Sequence, residues 1–202
     1  MNPILFCLYL DGLLAILAES NVGCFIGTWY FGALAYADDI VLLAPSARAM
    51  RLMLKICDEY AEGFDIIFNA KKSKCIFIRA RRNTSGPVVP MPFFSIVGIQ
   101  SEFVNQWSHL GHLITDSLDD NNDIAVRRNT LCGQINNVIS YLANLDAVTK
   151  LNLFNTYCSS FYGSVLWDLE SPVIQDVCIA WRKGLRRVWG GCLLICTVTV
   201  YL

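Results

Sequence analysis

Residues 32–44, Gly-Ala-Leu-Ala-Tyr-Ala-Asp-Asp-Ile-Val-Leu-Leu-Ala, constrain this chain more than any other stretch. Asp38 and Asp39 are adjacent, and each apolar run beside them has the length of a buried strand. The pattern predicts two antiparallel strands joined at Ala37-Asp38-Asp39, holding both acids on a tight turn at the rim of a sheet. Charge is costly to bury unless it is paired or bound to metal, and hard cations such as magnesium take carboxylate oxygens. The two acids are therefore a candidate divalent-metal site. Asp is also a common turn residue, so the pair taken alone reads first as a plain hairpin turn.

The segments around this hairpin alternate between helix and strand signals. Residues 3–18 are strongly apolar, but no basic residue precedes them and Asp11 interrupts them. The uninterrupted part, Leu13 to Ala18, is too short for a bilayer, which takes about 20 residues. A mostly buried helix ending near Asn21-Val22-Gly23 is expected, with no membrane partner. Cys24–Gly27 and Trp29–Tyr36 read as strands around a turn. Ser46 suits a helix cap, followed by a core stripe of Met50, Met53, Leu54, Cys57, Tyr60 and Ala61 at helical spacing, with Gly63 as the stop.

Asp65–Asn69 and Cys75–Arg79 are expected to be short strands, and 81–92, with Gly86 and three prolines, a loop or linker. Phe93–Ile99 and Trp107–Ile114 alternate well enough for two more strands. Asp116–Asp123 reads as a helix-capping turn, because it lacks the ligand spacing of a calcium loop. Helices are expected over Arg127–Asn144, Asp146–Trp167 and Pro172–Trp189, where Pro172 suits a helix start. The apolar, β-branched segment 191–202 has no assigned role.

Charge is sparse and segregated. Charged residues make up 16% of the 202, hydrophobic residues 54%, and the net charge is −1. Two clusters stand free of acids: Lys71, Lys72, Lys74, Arg79, Arg81 and Arg82, and then Arg182, Lys183, Arg186 and Arg187. Each suits a phosphate backbone and equally a solvated, charge-protected face. Nine cysteines in no regular framework, mostly in apolar surroundings, fit reduced thiols in an intracellular protein of nucleus or cytoplasm, not a secreted one. His109 and His112 lack a second ligand pair at zinc spacing.

In this setting Tyr36-Ala37-Asp38-Asp39 resembles the catalytic hairpin of reverse transcriptases. Asn2-Pro3-Ile4-Leu5-Phe6 with Tyr9 looks like the helix before that hairpin, and Phe68-Asn69-Ala70-Lys71-Lys72-Ser73-Lys74 like the lysine motif after it. Trp107-Ser108-His109-Leu110-Gly111-His112-Leu113-Ile114 looks like the primer-grip strand. Trp167, and Trp181 to Trp189 with their interleaved basic residues, look like the helical tail of LINE-type (non-long-terminal-repeat) retrotransposon enzymes. The resemblance covers about residues 1–190. It implies an α+β fold, with an incomplete reverse-transcriptase palm over 1–115 and an all-α, thumb-like region over 116–190.

The same resemblance implies an RNA-directed DNA polymerase acting on an RNA template and DNA primer, with two magnesium ions and no small-molecule cofactor. Asp38 and Asp39 would bind metal, and Lys72 would stabilise or protonate the departing pyrophosphate, with Lys71 and Lys74 as weaker candidates. Tyr36 and Ala37 would border the primer terminus. His109, Leu110 and Gly111 would hold the primer end, and Arg186 and Arg187 would touch phosphates. The family's other metal-binding Asp and its finger residues lie upstream of the position matching Met1, and the family pattern also stops after Trp189-Gly190. A fragment is therefore expected, inactive as this chain. The rival expectation is a non-catalytic nucleic-acid-binding or interaction protein built on the same scaffold.

Overall fold

The structure, a computed structural model, describes residues 3–78, 91–141, 144–158 and 161–188. Arg79, Arg81, Arg82, Trp189 and the 191–202 segment lie outside the described residues. The fold is α+β, and it divides into two compact units, Met1–Val104 and Asn105–Leu202. The second begins just before the 107–114 segment, which therefore belongs to the same unit as the helices that follow it.

In the first unit, α1 (Pro3–Glu19) precedes β1 (Phe25–Ile26) and β2 (Trp29–Tyr30), then β3 (Ala33–Tyr36) and β4 (Asp39–Leu42), then α2 (Ala47–Phe64). After these come β5 (Lys74–Cys75), β6 (Ser95–Ile96), β7 (Ile99–Gln100) and β8 (Glu102–Phe103). Leu10, Leu13 and Leu17 are buried along one stripe of α1, while Leu8, Tyr9 and Ile16 are exposed. The expectation of a helix buried mostly all round is corrected to a helix buried on one face. Among the described residues no helix is long and apolar enough to cross a membrane.

The α2 helix follows its sequence signals. Ser46 Oγ accepts the Ala49 N–H at 3.2 Å, and the buried residues are Met53, Leu54, Cys57, Tyr60 and Ala61. Its end is not at Gly63. The helix runs one residue further, to Phe64, and Asp65 caps it in the left-handed region at φ 54°, a conformation that Asp tolerates better than most residues. Tyr60 Oη donates to the Tyr9 carbonyl at 2.5 Å, tying α2 to α1. Leu13, Leu17, Met53, Cys57 and Tyr60 form the core, with Ala33, Ile40, Leu42, Ile66 and Phe68 packed against it. Burial in this core pushes the Cys57 thiol up to about 12, with a smaller contribution from Asp58.

Among the described residues every sheet is a pair of strands. Two segments expected as single strands are hairpins instead. Ile96 pairs with Ile99 around Val97-Gly98, and His109 pairs with His112 around Leu110-Gly111. All four turn residues have positive φ, from 49° to 76°, the pattern of a type I′ turn. Residues 66–69, expected as part of a strand, form no regular element, and β5 is confined to Lys74–Cys75, paired parallel with β8.

In the second unit, β9 (Gln106–His109) and β10 (His112–Thr115) lead into α3 (Asn121–Tyr141), α4 (Ala147–Cys158), a short 3₁₀ turn (Ser164–Leu166) and α5 (Val173–Val188). The helix expected from Arg127 begins six residues earlier, because the acidic turn caps it. Asp119 Oδ1 accepts the Asn121 N–H at 3.2 Å, and the Asp120 carbonyl accepts the Ile124 N–H at 2.9 Å. Asp146 caps α4, accepting the Val148 and Thr149 amides at 3.0 Å each. These bonds, the Thr149 hydroxyl's first among them, hold its carboxyl below the usual carboxylate range.

Ile124, Leu131, Ile135, Val138, Phe154 and Val177 anchor the helical core. The α3 and α5 helices meet at Gly184, where a Cβ would lie 2.9 Å from Ile135 Cγ1 and nearer still to Cδ1. Gly184→Ala is therefore expected to destabilise this unit by roughly 1–3 kcal/mol through overpacking. The double variant with Ile135→Val, which removes the δ-methyl, is expected to recover most of the loss in urea unfolding. Equal midpoints for Gly184→Ala and the parent would contradict the close approach.

Candidate functional site

The acid hairpin is built from its register. Ala33 faces Leu42, Leu34 faces Val41, Ala35 faces Ile40 and Tyr36 faces Asp39, which leaves Ala37 and Asp38 as the two turn residues. Side chains alternate across a strand pair. Ala33, Ile40 and Leu42 accordingly pack on the α1–α2 core, while Leu34 and Tyr36 are exposed on the other face, Tyr36 by 66%. Asp39 shares that open face with Tyr36, and Asp38 stands at the tip; both are exposed. Neither carboxylate takes part in a hydrogen bond or ion pair among the described residues.

Ala37 has φ 52°, while Asp38 is not in the left-handed region. Positive φ at the first central residue alone is the pattern of a type II′ turn, which favours Gly there. An L-residue in that region costs about 1–2 kcal/mol. The strain sits beside the two acids, in keeping with the tendency of strained backbone to cluster at functional sites. The base of the hairpin is fixed by backbone. Leu43 N–H donates to the Gly32 carbonyl at 2.7 Å, and Cys24 N–H to the Leu43 carbonyl at 3.1 Å.

The lysine segment forms a separate turn organised by Asn69. Its carbonyl accepts the amides of Lys72 and Ser73, each at 3.0 Å, and its side chain accepts the Lys72 amide at 3.2 Å. Phe68 packs on the core that also carries the acid hairpin. Lys71 and Lys72 are exposed, with no side-chain partner among the described residues. Lys74 is committed elsewhere, its Nζ 2.5 Å from Glu102 Oε2 across the β5–β8 pair. Of the three candidates, Lys71 and Lys72 are available to an incoming anion. The acid hairpin and β5 belong to different strand pairs.

In the second unit, His109, Leu110 and Gly111 are not the middle of a strand. They form one corner of the β9–β10 hairpin, with Leu110 at φ 49° and Gly111 at φ 76°. This corner is held by a cluster that residue patterns did not reveal. Asp123, 2% exposed, accepts the Leu113 N–H at 3.1 Å and the Trp167 indole N–H at 2.8 Å. His112 Nδ1 lies 3.3 Å from Asp123 Oδ2, and Arg127 Nε 4.0 Å from Oδ1. Arg127 also donates to the Gly111 carbonyl and covers the Tyr162 ring at 5.6 Å. The Asp123–Arg127 spacing of four residues is the one signal that helical neighbours would have given.

Arg186 and Arg187 occupy the last turn of α5, both exposed. Arg187 Nη1 donates to Asn136 Oδ1 at 3.1 Å, whereas Arg186 has no partner among the described residues. Their position also suits the negative end of the helix dipole.

Among the described residues no group of three or more His, Cys, Asp or Glu side chains gathers where a metal ion would sit. The donors at Asp38 and Asp39 fit magnesium in kind, since that ion takes one or two carboxylates completed by water and substrate phosphate. Fold and site together define an α+β chain presenting an exposed acid pair on a strained hairpin. No family model matches the chain, nor does any curated protein or solved structure.

Two substitutions test this geometry. Ala37→Gly is expected to leave stability unchanged or raise it by up to about 1 kcal/mol, because glycine removes the left-handed strain; a clear loss in thermal unfolding would contradict the turn. Asp123→Ala is expected to cost about 3–5 kcal/mol, the range for removing one partner of a buried charge cluster. The indole N–H resonance of Trp167 should shift with it, and an unmoved resonance would contradict the cluster.

Proposed function

We propose that this chain carries the catalytic hairpin and thumb-like helices of a LINE-type reverse transcriptase, an RNA-directed DNA polymerase. The observation that carries the reading is Tyr36-Ala37-Asp38-Asp39 on a hairpin tip, with both carboxylates exposed and unpaired among the described residues. The sequence order supports it as well: a helix before the hairpin, then the Asn69-organised lysine turn, then the His109-Leu110-Gly111 corner.

When bound, magnesium ions neutralise charge on a triphosphate and favour ionisation of an attacking hydroxyl. Asp38 and Asp39 would hold those cations with carboxylate oxygens that, among the described residues, no protein cation pairs with. Lys72, and Lys71 beside it, meet the negative charge of the leaving pyrophosphate. The exposed Tyr36 ring offers a surface for the primer end, and Ala37 adds no bulk between it and the acids. His109, Leu110 and Gly111 present a tight turn to the primer, and Arg186 and Arg187 neutralise backbone phosphates.

Two carboxylates attract a cation weakly, and most of the rate in phosphoryl transfer comes from positioning. The chain alone is therefore read as a non-polymerising portion of the enzyme.

Manganese, used as a paramagnetic probe in NMR, tests the acid pair. Broadening is expected to centre on residues 36–39 and to disappear in Asp38→Asn. A primer–template titration tests the basic residues, with log affinity expected to fall by about 0.7–0.9 per contacted phosphate for each tenfold rise in salt. Salt-dependent binding with no manganese effect at the hairpin would favour the non-catalytic nucleic-acid-binding protein instead. A salt-independent titration and no hairpin broadening would overturn both readings. Magnesium- and Asp38-dependent primer extension would overturn the assignment as a non-polymerising portion.

A further inference from the structure

The second unit carries an open apolar groove of about 810 Å³. Its walls come from the 3₁₀ turn and from one face of α5, through Val165, Leu169, Ile174, Cys178 and Trp181. Only Arg182 among the lining residues is charged. Val165, on the 3₁₀ turn, is 95% exposed, and Leu169 is 64% exposed. Contiguous apolar surface rimmed by charge is the mark of an association face.

Charge of opposite sign sits at the two ends of this groove. Residues 168–171 are tied to the start of α3, where the Asp168 amide donates to Asp120 Oδ2 at 3.0 Å and Ser171 Oγ to Asn121 Oδ1 at 3.2 Å. Asp168 and Glu170, on either side of Leu169, are exposed there. The other end of α5 meets α3 further along, through Arg187 and Asn136. Arg182 lies toward that end, nine residues beyond Val173, which is about 14 Å of helix. Arg182 Nε donates to the Cys178 carbonyl at 3.2 Å, and neither Arg182 nor Glu170 forms an ion pair among the described residues.

We propose that the groove receives a second copy of this chain, the two α5 helices lying antiparallel about a twofold axis. A twofold contact brings the same patch of both copies together, so that patch must complement itself. This one does so in shape and in charge. Val165 stands out beside the groove, and each copy offers it as a knob to the other's hollow. Antiparallel pairing sets the Arg182 end of one copy against the Asp168–Glu170 end of the other, twice over, whereas parallel pairing would oppose like charges. The apolar centre supplies the attraction and the rim charges fix the orientation. The inference is independent of the polymerase reading, since no residue assigned there to metal, nucleotide or primer takes part in the contact.

Sedimentation equilibrium of the full chain, from micromolar to submillimolar concentration, tests it. A reversible monomer–dimer equilibrium is expected, and Val165→Asp should weaken it at least tenfold. Arg182→Glu and Glu170→Arg should each weaken self-association several-fold, because each variant places like charges opposite one another at both ends. An equimolar mixture of these two variants should recover the parent's affinity as a heterodimer, because both of its end contacts are again of opposite sign. All three positions are exposed, so far-UV circular dichroism should not change. A dimer indifferent to Val165→Asp, or a mixture no tighter than the single variants, would overturn the proposal. So would a chain that stays monomeric throughout: strong binding of the apolar dye ANS would then mark the groove as open to a different partner, and no binding as covered by the chain itself.

Discussion

A pair of strands is at best marginally stable in water on its own, and every sheet among the described residues is such a pair. Each hairpin therefore keeps its shape only by lying on something else. The acid hairpin lies on the α1–α2 core through Ala33, Ile40 and Leu42. The β6–β7 hairpin lies on α2, where Asp58 accepts the Val97 amide at 3.1 Å and Arg51 covers the Phe94 ring at 5.7 Å. The β9–β10 hairpin is bound to α3 through Asp123 and Arg127. Helix burial thus stabilises the turns at second hand, and damage to a helix core should be felt first at a hairpin tip.

That dependence accounts for the strained corners. Ala37, Val97 and Leu110 all sit in the left-handed region, at φ 50–52° for the first two and 49° for the third. A β-branched or bulky residue there is a true outlier. Each persists because both strands beside it are held from outside, so that relaxing the corner would break the pairing or the packing. Two of the three corners, at Ala37 and at Leu110-Gly111, carry candidate functional residues, while the Val97 corner carries none. Strain alone therefore does not identify a site here; it has to coincide with exposed, unpartnered chemistry.

The acid hairpin and most of the helices were legible in the sequence because their signals are local, but the helix expected over Asp146–Trp167 ends at Cys158, with a separate 3₁₀ turn at Ser164–Leu166. Ser46 and the stripe from Met50 to Ala61 fix α2, Met50 alone of the stripe being only half-buried, and two apolar runs around Asp38-Asp39 fix β3 and β4. The β6–β7 and β9–β10 hairpins were missed because Val-Gly and Leu-Gly lack the Asn or Asp that normally marks a type I′ turn, so alternation ran straight through them. Gly63 failed as a stop for the converse reason: nothing crowds it, and the chain turns where Asp65 can take positive φ. The Asp123 cluster was out of reach, because its bonds to Leu113 and Trp167 span ten and 44 residues. No spacing rule connects those positions.

The protein uses the same side chain for opposite purposes, and burial separates them. Asp123 is enclosed and every strong donor near it is protein: two N–H groups, an imidazole and a guanidinium. A carboxylate so enclosed is committed to the protein, and its role is to hold a corner in place. Asp38 and Asp39 carry equal formal charge but accept nothing from the described protein, so a cation meets no competitor at their oxygens. The lysines divide in the same way, Lys74 being neutralised by Glu102 while Lys71 and Lys72 remain open. Residue type alone does not separate these groups. What selects among them is whether the fold has already satisfied their charge, and by that criterion the exposed acid pair, Lys71 and Lys72 are the groups whose charge the described protein leaves uncompensated.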